Sequence, residues 1–233
     1  MVRATFIYIF IAIYVLILAP PAMLWTFLFK DTRIIYILAR FCIRTSGVLA
    51  GIRVRCEGVD NILPGQTYLF LSNHQGNFDG PVLCHAIPRN WKALIKQEMM
   101  RLPVLSLVLR QVQFVPIERT NPQRARLSID HGAELLASGN SFIAFPEGTR
   151  SRSGTLGPFK KGAFLMAIKS QIPVMPVTIL GSAAVQPPGS YAVRPGKIRV
   201  IFHDSISTEG MNIGDRDRLI EQTRKAIASK LPI

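Results

Sequence analysis

The sequence has few acidic residues and few cysteines. Asp and Glu number 14 in 233 residues against 28 Lys and Arg, so the formal net charge is +14. This imbalance indicates an anionic partner: a phospholipid surface, a phosphorylated substrate or nucleic acid. The three cysteines (Cys42, Cys56 and Cys84) are odd in number and show no CxxC spacing. We therefore expect reduced, unreactive thiols in a domain that faces the cytosol.

Several common catalytic and binding motifs are also absent. No G-x-S-x-G occurs, so the nucleophile elbow of a hydrolase is not supported. The four histidines show no metal-ligand spacing. Residues 157–163 have the glycine spacing of a nucleotide phosphate loop but lack its final Lys-Ser/Thr. Aromatic and basic residues do not alternate as in nucleic-acid stacking platforms. These absences predict no metal site, no nucleoside triphosphate site and no nucleic-acid partner.

The chain begins with a long apolar run. Residues 6–29 carry no charge, and about 20 apolar residues suffice to cross a bilayer. Pro20 and Pro21 interrupt the run, and proline inside a helix removes a hydrogen bond. Three interpretations follow: a kinked spanning helix, a half-depth hairpin that enters and leaves by the same leaflet, and a poorly supported cleaved signal peptide. We favour the hairpin, because the prolines lie a little past the middle of the run.

A basic stripe follows the apolar run. Arg33, Arg40 and Arg44 fall within about 20° of one direction on a helix, and apolar residues cover most of the remaining surface. Such a helix suits the headgroup region of a membrane, with its arginines on lipid phosphates. The alternative is a core helix with one solvated edge. The basic residues after the run predict that the remaining chain faces the cytoplasm.

The rest of the chain predicts an α/β fold. Short β-branched and aromatic runs indicate strands near 52–57, 67–72, 91–96, 113–118, 141–146, 174–180 and 197–203. Helices are expected from Pro122, capped by Asn121, to Gly139, and over residues 215–230. Several strands are apolar throughout, as in sheets covered on both faces. We predict a single domain (51–233) with a largely parallel or mixed sheet flanked by helices, preceded by N-terminal membrane-anchoring helices (1–50).

The segment "SNHQGNFDGP", residues 72–81, places a histidine and an aspartate five apart after an apolar strand. Sites in such sheets form beyond the C-terminal strand ends. His74 and Asp79 would point about 140° apart on a straight helix, so only a turn between them brings them together. Asp79 would then hold one ring nitrogen of His74 and leave the other as a general base. The alternative is that Asp79 is a helix N-cap and His74 an ordinary loop residue.

Three more strand ends carry charged residues. Arginine suits bidentate binding of phosphate, and neighbouring glycine and hydroxyl groups let donors approach an anion. Each cluster alone fits a solvated turn or a surface ion pair, but four apolar strands that each end in a polar cluster with Arg, Lys or His favour a functional site at this sheet edge. The candidate residues are Lys96, Arg119, Glu147, Gly148, Thr149 and Arg150.

In order and spacing these segments resemble the lysophospholipid acyltransferase family. "NHQGNFD" matches the NHxxxxD block of that family, and "FPEGTRS" matches its third block. "FVPIERT" resembles the second block, "IPVMPVTI" matches the fourth, and "KQEM" resembles a lysine-acid segment between the first two. Gln111, Gln113 and Pro116 depart from the glycine and aromatic pattern of the second block.

The resemblance implies an acyl transfer that forms phosphatidic acid. His74, oriented by Asp79, would deprotonate the free sn-2 hydroxyl of lysophosphatidic acid. That hydroxyl would attack the acyl thioester of acyl-CoA or acyl-ACP. Glu147 would position its loop or a glycerol hydroxyl. No cofactor or metal is required, and the enzyme would sit on the cytoplasmic face of the inner membrane.

The resemblance also implies a phosphate site. Arg150, with Gly148 and Thr149, would hold the phosphate of the acceptor, and Arg119 and Lys96 would assist. Other acceptors remain open: glycerol 3-phosphate, another lysophospholipid or a lyso-aminolipid. A basic membrane-associated binding protein without catalysis is the non-enzymatic alternative.

Overall fold

The computed structural model describes residues 2–151 and 154–232. Its helices are α1 (Val2–Phe29), α2 (Arg33–Ala50), α3 (Asp79–Ala86), α4 (Pro103–Gln111), α5 (Pro122–Ala137), α6 (Gly162–Ser170), α7 (Ser182–Val185) and α8 (Arg216–Ala228). Its strands are β1 (Ile52–Glu57), β2 (Leu69–Ser72), β3 (Lys92–Lys96), β4 (Val115–Ile117), β5 (Phe142–Ala144), β6 (Val174–Leu180) and β7 (Gly196–Phe202). Short 3₁₀ helices are Val59–Asn61, Gln97–Arg101 and Ile213–Asp215. The predicted division at residues 50 and 51 falls between α2 and β1 and stays a prediction.

Within the described residues, seven strands form one sheet in the order β1-β7-β6-β2-β5-β3-β4. The strands from β6 to β4 run parallel, whereas β7 is antiparallel to β6 and β1 is parallel to β7. The expected α/β fold with a mixed sheet is therefore confirmed. Each expected strand is present, with ends within two residues of the prediction.

Helices cover both faces of the sheet, which explains why its central strands are apolar throughout. In β2, Phe70 packs into a cluster with residues of α3 and α4, such as Leu83 and Leu109. Its neighbours Leu69 and Leu71 pack into a second cluster with residues of α5, α6 and α8. Alternate side chains of one strand thus serve opposite cores, as the twofold period of a strand requires.

The ends of α5 follow the predicted capping chemistry. The Asn121 side chain accepts a hydrogen bond from the backbone N–H of Arg124 at 3.1 Å, and Pro122 is the first helical residue. Gly139 follows the helix with a positive φ of 91°, which glycine adopts without steric cost.

The connections between strands create a crevice beside β2. The chain leaves β2 towards β3 on one side, and it leaves β5, the neighbour of β2, towards β6 on the other side. The loops after β2 and β5 therefore diverge at the same sheet edge. Such a switch point is where α/β sheets form binding sites.

α1 runs through Pro20 and Pro21 without a break, so the turn expected at these prolines is wrong. Contacts with α4 hold the helix beyond the prolines. The Gln111 side chain donates to the Met23 carbonyl at 3.3 Å and contacts the Thr26 hydroxyl.

The chain turns instead at residues 30–32, and α1 and α2 pack antiparallel. Tyr14 donates to the Leu38 carbonyl at 3.1 Å, and Arg3 donates to the Ala50 carbonyl at 3.5 Å. By length and composition α1 could cross a membrane, and most of its apolar window is exposed. Full-span or half-depth insertion stays a prediction.

The basic stripe of α2 is only partly as expected. Arg40 points into the molecule, where it donates to the carbonyls of Cys84 at 3.2 Å and Ile87 at 3.3 Å. These carbonyls lie at the end of α3, where the last helical carbonyls lack intrahelical partners. The lipid-facing assignment of Arg40 is therefore wrong, whereas Arg33 and Arg44 are exposed.

Candidate active site

His74 and Asp79 meet across the turn that follows β2. The Nδ1 atom of His74 lies 2.7 Å from Oδ2 of Asp79. The Asp79 side chain is fully buried, and 21% of the His74 side chain is exposed. Within residues 2–151 and 154–232, Nε2 of His74 has no hydrogen-bond partner. One ring nitrogen is thus held by a carboxylate, and the other is left for a substrate.

The carboxylate of Asp79 organises the turn as well as the ring. Its Oδ2 atom also accepts from the backbone N–H groups of Gln75 at 2.7 Å and Gly76 at 2.9 Å. Asp79 is the first residue of α3, and these bonds point back into the preceding loop. The interpretation of Asp79 as an ordinary helix N-cap is therefore wrong.

The turn needs glycine at position 76 and is fastened by its neighbours. A Cβ atom on Gly76 would lie 2.7 Å from the backbone of Ser182, so no other residue fits without a shift. Asn77 donates from its side chain to the carbonyls of Pro187 at 3.2 Å and Ser190 at 3.1 Å. The segment after α7 thereby fixes the outer side of the turn.

Glu147 joins the loop after β5 to the loop after β2. The residue is buried. Its Oε1 atom accepts from the backbone N–H of His74 at 2.8 Å, and its Oε2 atom accepts from that of Gly157 at 2.9 Å. The His74 carbonyl in turn accepts from the Ser151 N–H at 2.7 Å. Because backbone donors occupy both carboxylate oxygens, this geometry favours the loop-positioning role over binding of a glycerol hydroxyl.

The ring of His74 rests on Phe145, the last residue before Pro146 in the third block. The ring centroids are 4.1 Å apart and the planes are inclined by 18°. Stacking restricts the imidazole to one plane, and the Asp79 contact fixes its rotation within that plane. The position of Phe145 at the end of an apolar strand is a signal for this contact, but it does not identify His74 as the partner.

Two cationic side chains converge on Gly148. Arg119 donates to the Gly148 carbonyl, so the end of the second block contacts the third. Gly148 has a φ of 72°, and a Cβ atom there would lie 2.9 Å from Cε and 3.2 Å from Nζ of Lys160. Lys160 is not among the residues predicted from the sequence, because residues 157–163 resemble an incomplete nucleotide motif.

The remaining candidates lie further out. Thr149 and Arg150 continue the same loop with exposed side chains. Lys96 is at the C-terminal end of β3, where it forms an exposed ion pair with Glu98 at 3.3 Å. This pair fits the alternative of a surface ion pair, and a phosphate-binding role for Lys96 stays a prediction.

Together these elements define a class of site. An imidazole positioned by a buried carboxylate suits removal of a proton from a substrate. Cationic groups in the adjacent loop suit an anionic substrate. The arrangement contains the parts of a general-base site for an anionic substrate.

Comparison with known proteins identifies the family. Residues 53–180 match the family model described as Acyltransferase. Because this match covers more than half of the chain, the chain belongs to the acyltransferase family, which confirms the resemblance seen in the sequence blocks.

Curated relatives carry more specific names. The chain is 34% identical over 178 residues to a chloroplastic 1-acyl-sn-glycerol-3-phosphate acyltransferase of Brassica napus, covering 75% of this chain and 50% of that protein. It is 30% identical over 147 residues to the 1-acyl-sn-glycerol-3-phosphate acyltransferase of Borreliella burgdorferi, covering 63% and 59%. The chain thus spans about half the length of the curated relatives it matches.

The fold also matches a solved structure. The crystal structure of the 1-acyl-sn-glycerophosphate (LPA) acyltransferase PlsC from Thermotoga maritima superposes with a TM-score of 0.86 at 23% identity. The match covers 99% of this chain and 93% of the other. It supports the fold, including the N-terminal helices.

Proposed function

We propose that the protein transfers an acyl group from a thioester to the sn-2 hydroxyl of lysophosphatidic acid and forms phosphatidic acid. The observation that carries this proposal is the His74–Asp79 contact at 2.7 Å, beside a loop approached by Arg119 and Lys160. The names of the relatives favour lysophosphatidic acid over glycerol 3-phosphate or another lyso-lipid.

The reaction needs one base that later acts as an acid. Nε2 of His74 takes the proton of the acceptor hydroxyl while the oxygen attacks the thioester carbonyl. The attack forms the new C–O bond of a tetrahedral intermediate. When this intermediate collapses, the C–S bond breaks and the ester is released. The leaving thiolate receives the proton from His74, so the protein returns to its starting state. Asp79 stabilises the imidazolium that exists between the two transfers.

The phosphate of the acceptor would lie against the loop after β5. Arg119 and Lys160 both reach Gly148, and Arg150 follows two residues later with an exposed side chain. Guanidinium groups can bind phosphate through two parallel hydrogen bonds. We assign Arg150 and Arg119 to the phosphate, with Lys160 beside them and Lys96 as a further candidate.

The acyl donor and the location follow from the same hypothesis. The donor is acyl-CoA or acyl-ACP, and the chemistry above uses no cofactor and no metal ion. The acceptor resides in a bilayer, so the apolar surface of α1 would attach the protein to the inner membrane, with the active site on the cytoplasmic side.

A panel of acceptors with both donor types tests this proposal. Lysophosphatidic acid, glycerol 3-phosphate, lysophosphatidylcholine, lysophosphatidylethanolamine and a lyso-aminolipid would each be offered with acyl-CoA and with acyl-ACP. We expect the highest kcat/KM for lysophosphatidic acid. If it ranks among the poorest acceptors, the assignment to phosphatidic acid formation is wrong. Absence of acylation with every pair would favour the non-enzymatic alternative.

A further inference from the structure

The outer face of α4 carries large apolar side chains in contact with solvent. Leu102, Val104 and Leu107 are 55%, 55% and 51% exposed. Val104 and Leu107 are one helical turn apart, so they lie on the same face of α4, and Leu102 immediately precedes the helix. Nothing in the described residues covers this face.

The opposite face of α4 already supplies the packing that the fold requires. Leu109 is buried in the core cluster of the sheet, and Leu105 packs against the same cluster. A surface helix usually pairs one apolar face with a polar one. Apolar residues on the second face therefore indicate a second apolar environment, since exposed apolar patches commonly mark protein or membrane contacts.

The position of α4 indicates that this environment is lipid. Gln111 at the end of α4 contacts α1 at Met23, and α1 exposes Trp25, Leu28 and Phe29 two to six residues further on. Leu109 of α4 and the inner residues of α1 belong to the core cluster on the same face of the sheet. The exposed apolar residues of both helices thus belong to elements that pack on the same face of the sheet and contact each other.

Charge gives the same indication. Arg101 lies just before α4 and Arg110 lies in its last turn, and both are exposed. Apolar residues flanked by arginines are typical of helices that lie in the interface of an anionic bilayer. The whole chain has only 14 acidic residues against 28 basic residues. A second copy therefore offers few carboxylates to pair with Arg101 and Arg110, which disfavours self-association through this side of α4.

We propose that Leu102, Val104 and Leu107 form a lipid-contact surface that inserts into the interface of an anionic bilayer. α4 follows the C-terminal end of β3 through Gln97–Arg101, so this surface begins at the sheet edge that carries His74. Contact through α4 fixes the tilt of the domain and brings that edge close to the membrane. The effect on acylation rests on the proposed function, whereas the lipid contact itself does not.

Site-specific labelling tests the lipid contact without any assay of activity. An environment-sensitive fluorophore is attached to Val104→Cys in a chain that also carries Cys42→Ser and Cys56→Ser. The matched control is Leu127→Cys, which replaces a leucine that is 68% exposed on α5, across the sheet. With phosphatidylglycerol vesicles that contain nitroxide-labelled acyl chains, we expect severalfold stronger quenching at position 104 than at position 127.

Equal quenching at the two positions would overturn the proposal. A dimer detected by light scattering without vesicles, with the label at position 104 shielded by the second copy, would also overturn it.

A kinetic comparison tests the consequence for the substrate. The triple variant Leu102→Ser, Val104→Ser, Leu107→Ser should raise KM severalfold for lysophosphatidic acid in vesicles. It should leave kcat unchanged for a short-chain, water-soluble analogue, and Leu127→Ser should change neither. Vesicle contact at position 104 without acylation of any acceptor would reject the proposed function and retain the surface. Acylation with an unchanged KM in the triple variant would reject the surface's role in substrate capture.

Discussion

Replacing Asp79 by asparagine separates the role of the carboxylate charge from that of its shape. Asp79→Asn keeps one side-chain oxygen, which can still accept from the N–H groups of Gln75 and Gly76. It removes the negative charge that stabilises protonated His74. A hydrogen bond to a charged group contributes about 1.5–3 kcal/mol, which corresponds to a loss of about 10- to 150-fold in kcat.

Asp79→Asn should also lower the stability of the folded protein, because of the environment of the second carboxylate oxygen. Oδ1 of Asp79 is buried and has no hydrogen-bond partner among the described residues. The amide nitrogen of Asp79→Asn would take this position and leave its N–H groups unpaired, at a cost of about 1–3 kcal/mol. We expect the free energy of unfolding to fall by this amount.

The assay combines steady-state acylation of lysophosphatidic acid with urea unfolding of the same preparations. Asp217→Asn is the matched control, because Asp217 is an exposed carboxylate paired with Arg216. Surface pairs of this kind contribute about 0–1 kcal/mol, so the control should keep its rate and nearly all of its stability. A folded Asp79→Asn protein with kcat within twofold of the wild type would refute the role of the charge.

Three further changes probe the loops, α2 and the pH dependence. Glu147→Gln loses one charge-assisted hydrogen bond, because an amide nitrogen cannot accept from the N–H of Gly157. The value of kcat/KM should fall about tenfold or more. Unchanged kinetics would contradict the role of Glu147 in joining the two loops. Arg40→Met should lower Tm by several degrees, since Arg40 serves buried carbonyls, whereas Arg44→Met should keep Tm and weaken binding to anionic vesicles. Equal Tm for both would contradict the inward placement of Arg40. Burial, aided by nearby Lys230, lowers the pKa of His203. Below about pH 6.5 the unfolded state therefore binds more protons than the folded state, and the free energy of unfolding should decrease as the pH is lowered. This decrease should be less steep in His203→Gln. Identical pH profiles of the free energy of unfolding for the two proteins would contradict this.

Local patterns in the sequence predicted the sheet and the edge that carries the site. Apolar runs bounded by turn residues placed each strand within two residues, because the twofold period and the turn chemistry are encoded locally. The contact of His74 with Asp79 was also accessible, since only a turn between them lets the two side chains meet.

Contacts between residues far apart in the sequence could not be predicted from local patterns. The inward direction of Arg40 depends on the carbonyls at the end of α3, 44 or more residues away, and helical periodicity cannot reveal them. α1 runs unbroken through Pro20 and Pro21, and its contact with α4, from Gln111 to Met23, likewise joins residues 88 positions apart. Lys160 lies beside Gly148, where its backbone N–H donates to the Pro146 carbonyl at 2.8 Å, and the spacing of residues 157–163 suggested a different motif.

Acyl transfer by His74→Ala tests whether His74 is the general base. Purified wild type, His74→Ala and the surface control His131→Ala, in which an exposed histidine is changed, would be compared with lysophosphatidic acid and acyl-CoA. Loss of a general base costs about 10² to 10⁴ in rate. We expect a loss in this range for His74→Ala at an unchanged Tm, and a normal rate for the control. A rate near that of the wild type in folded His74→Ala would contradict it.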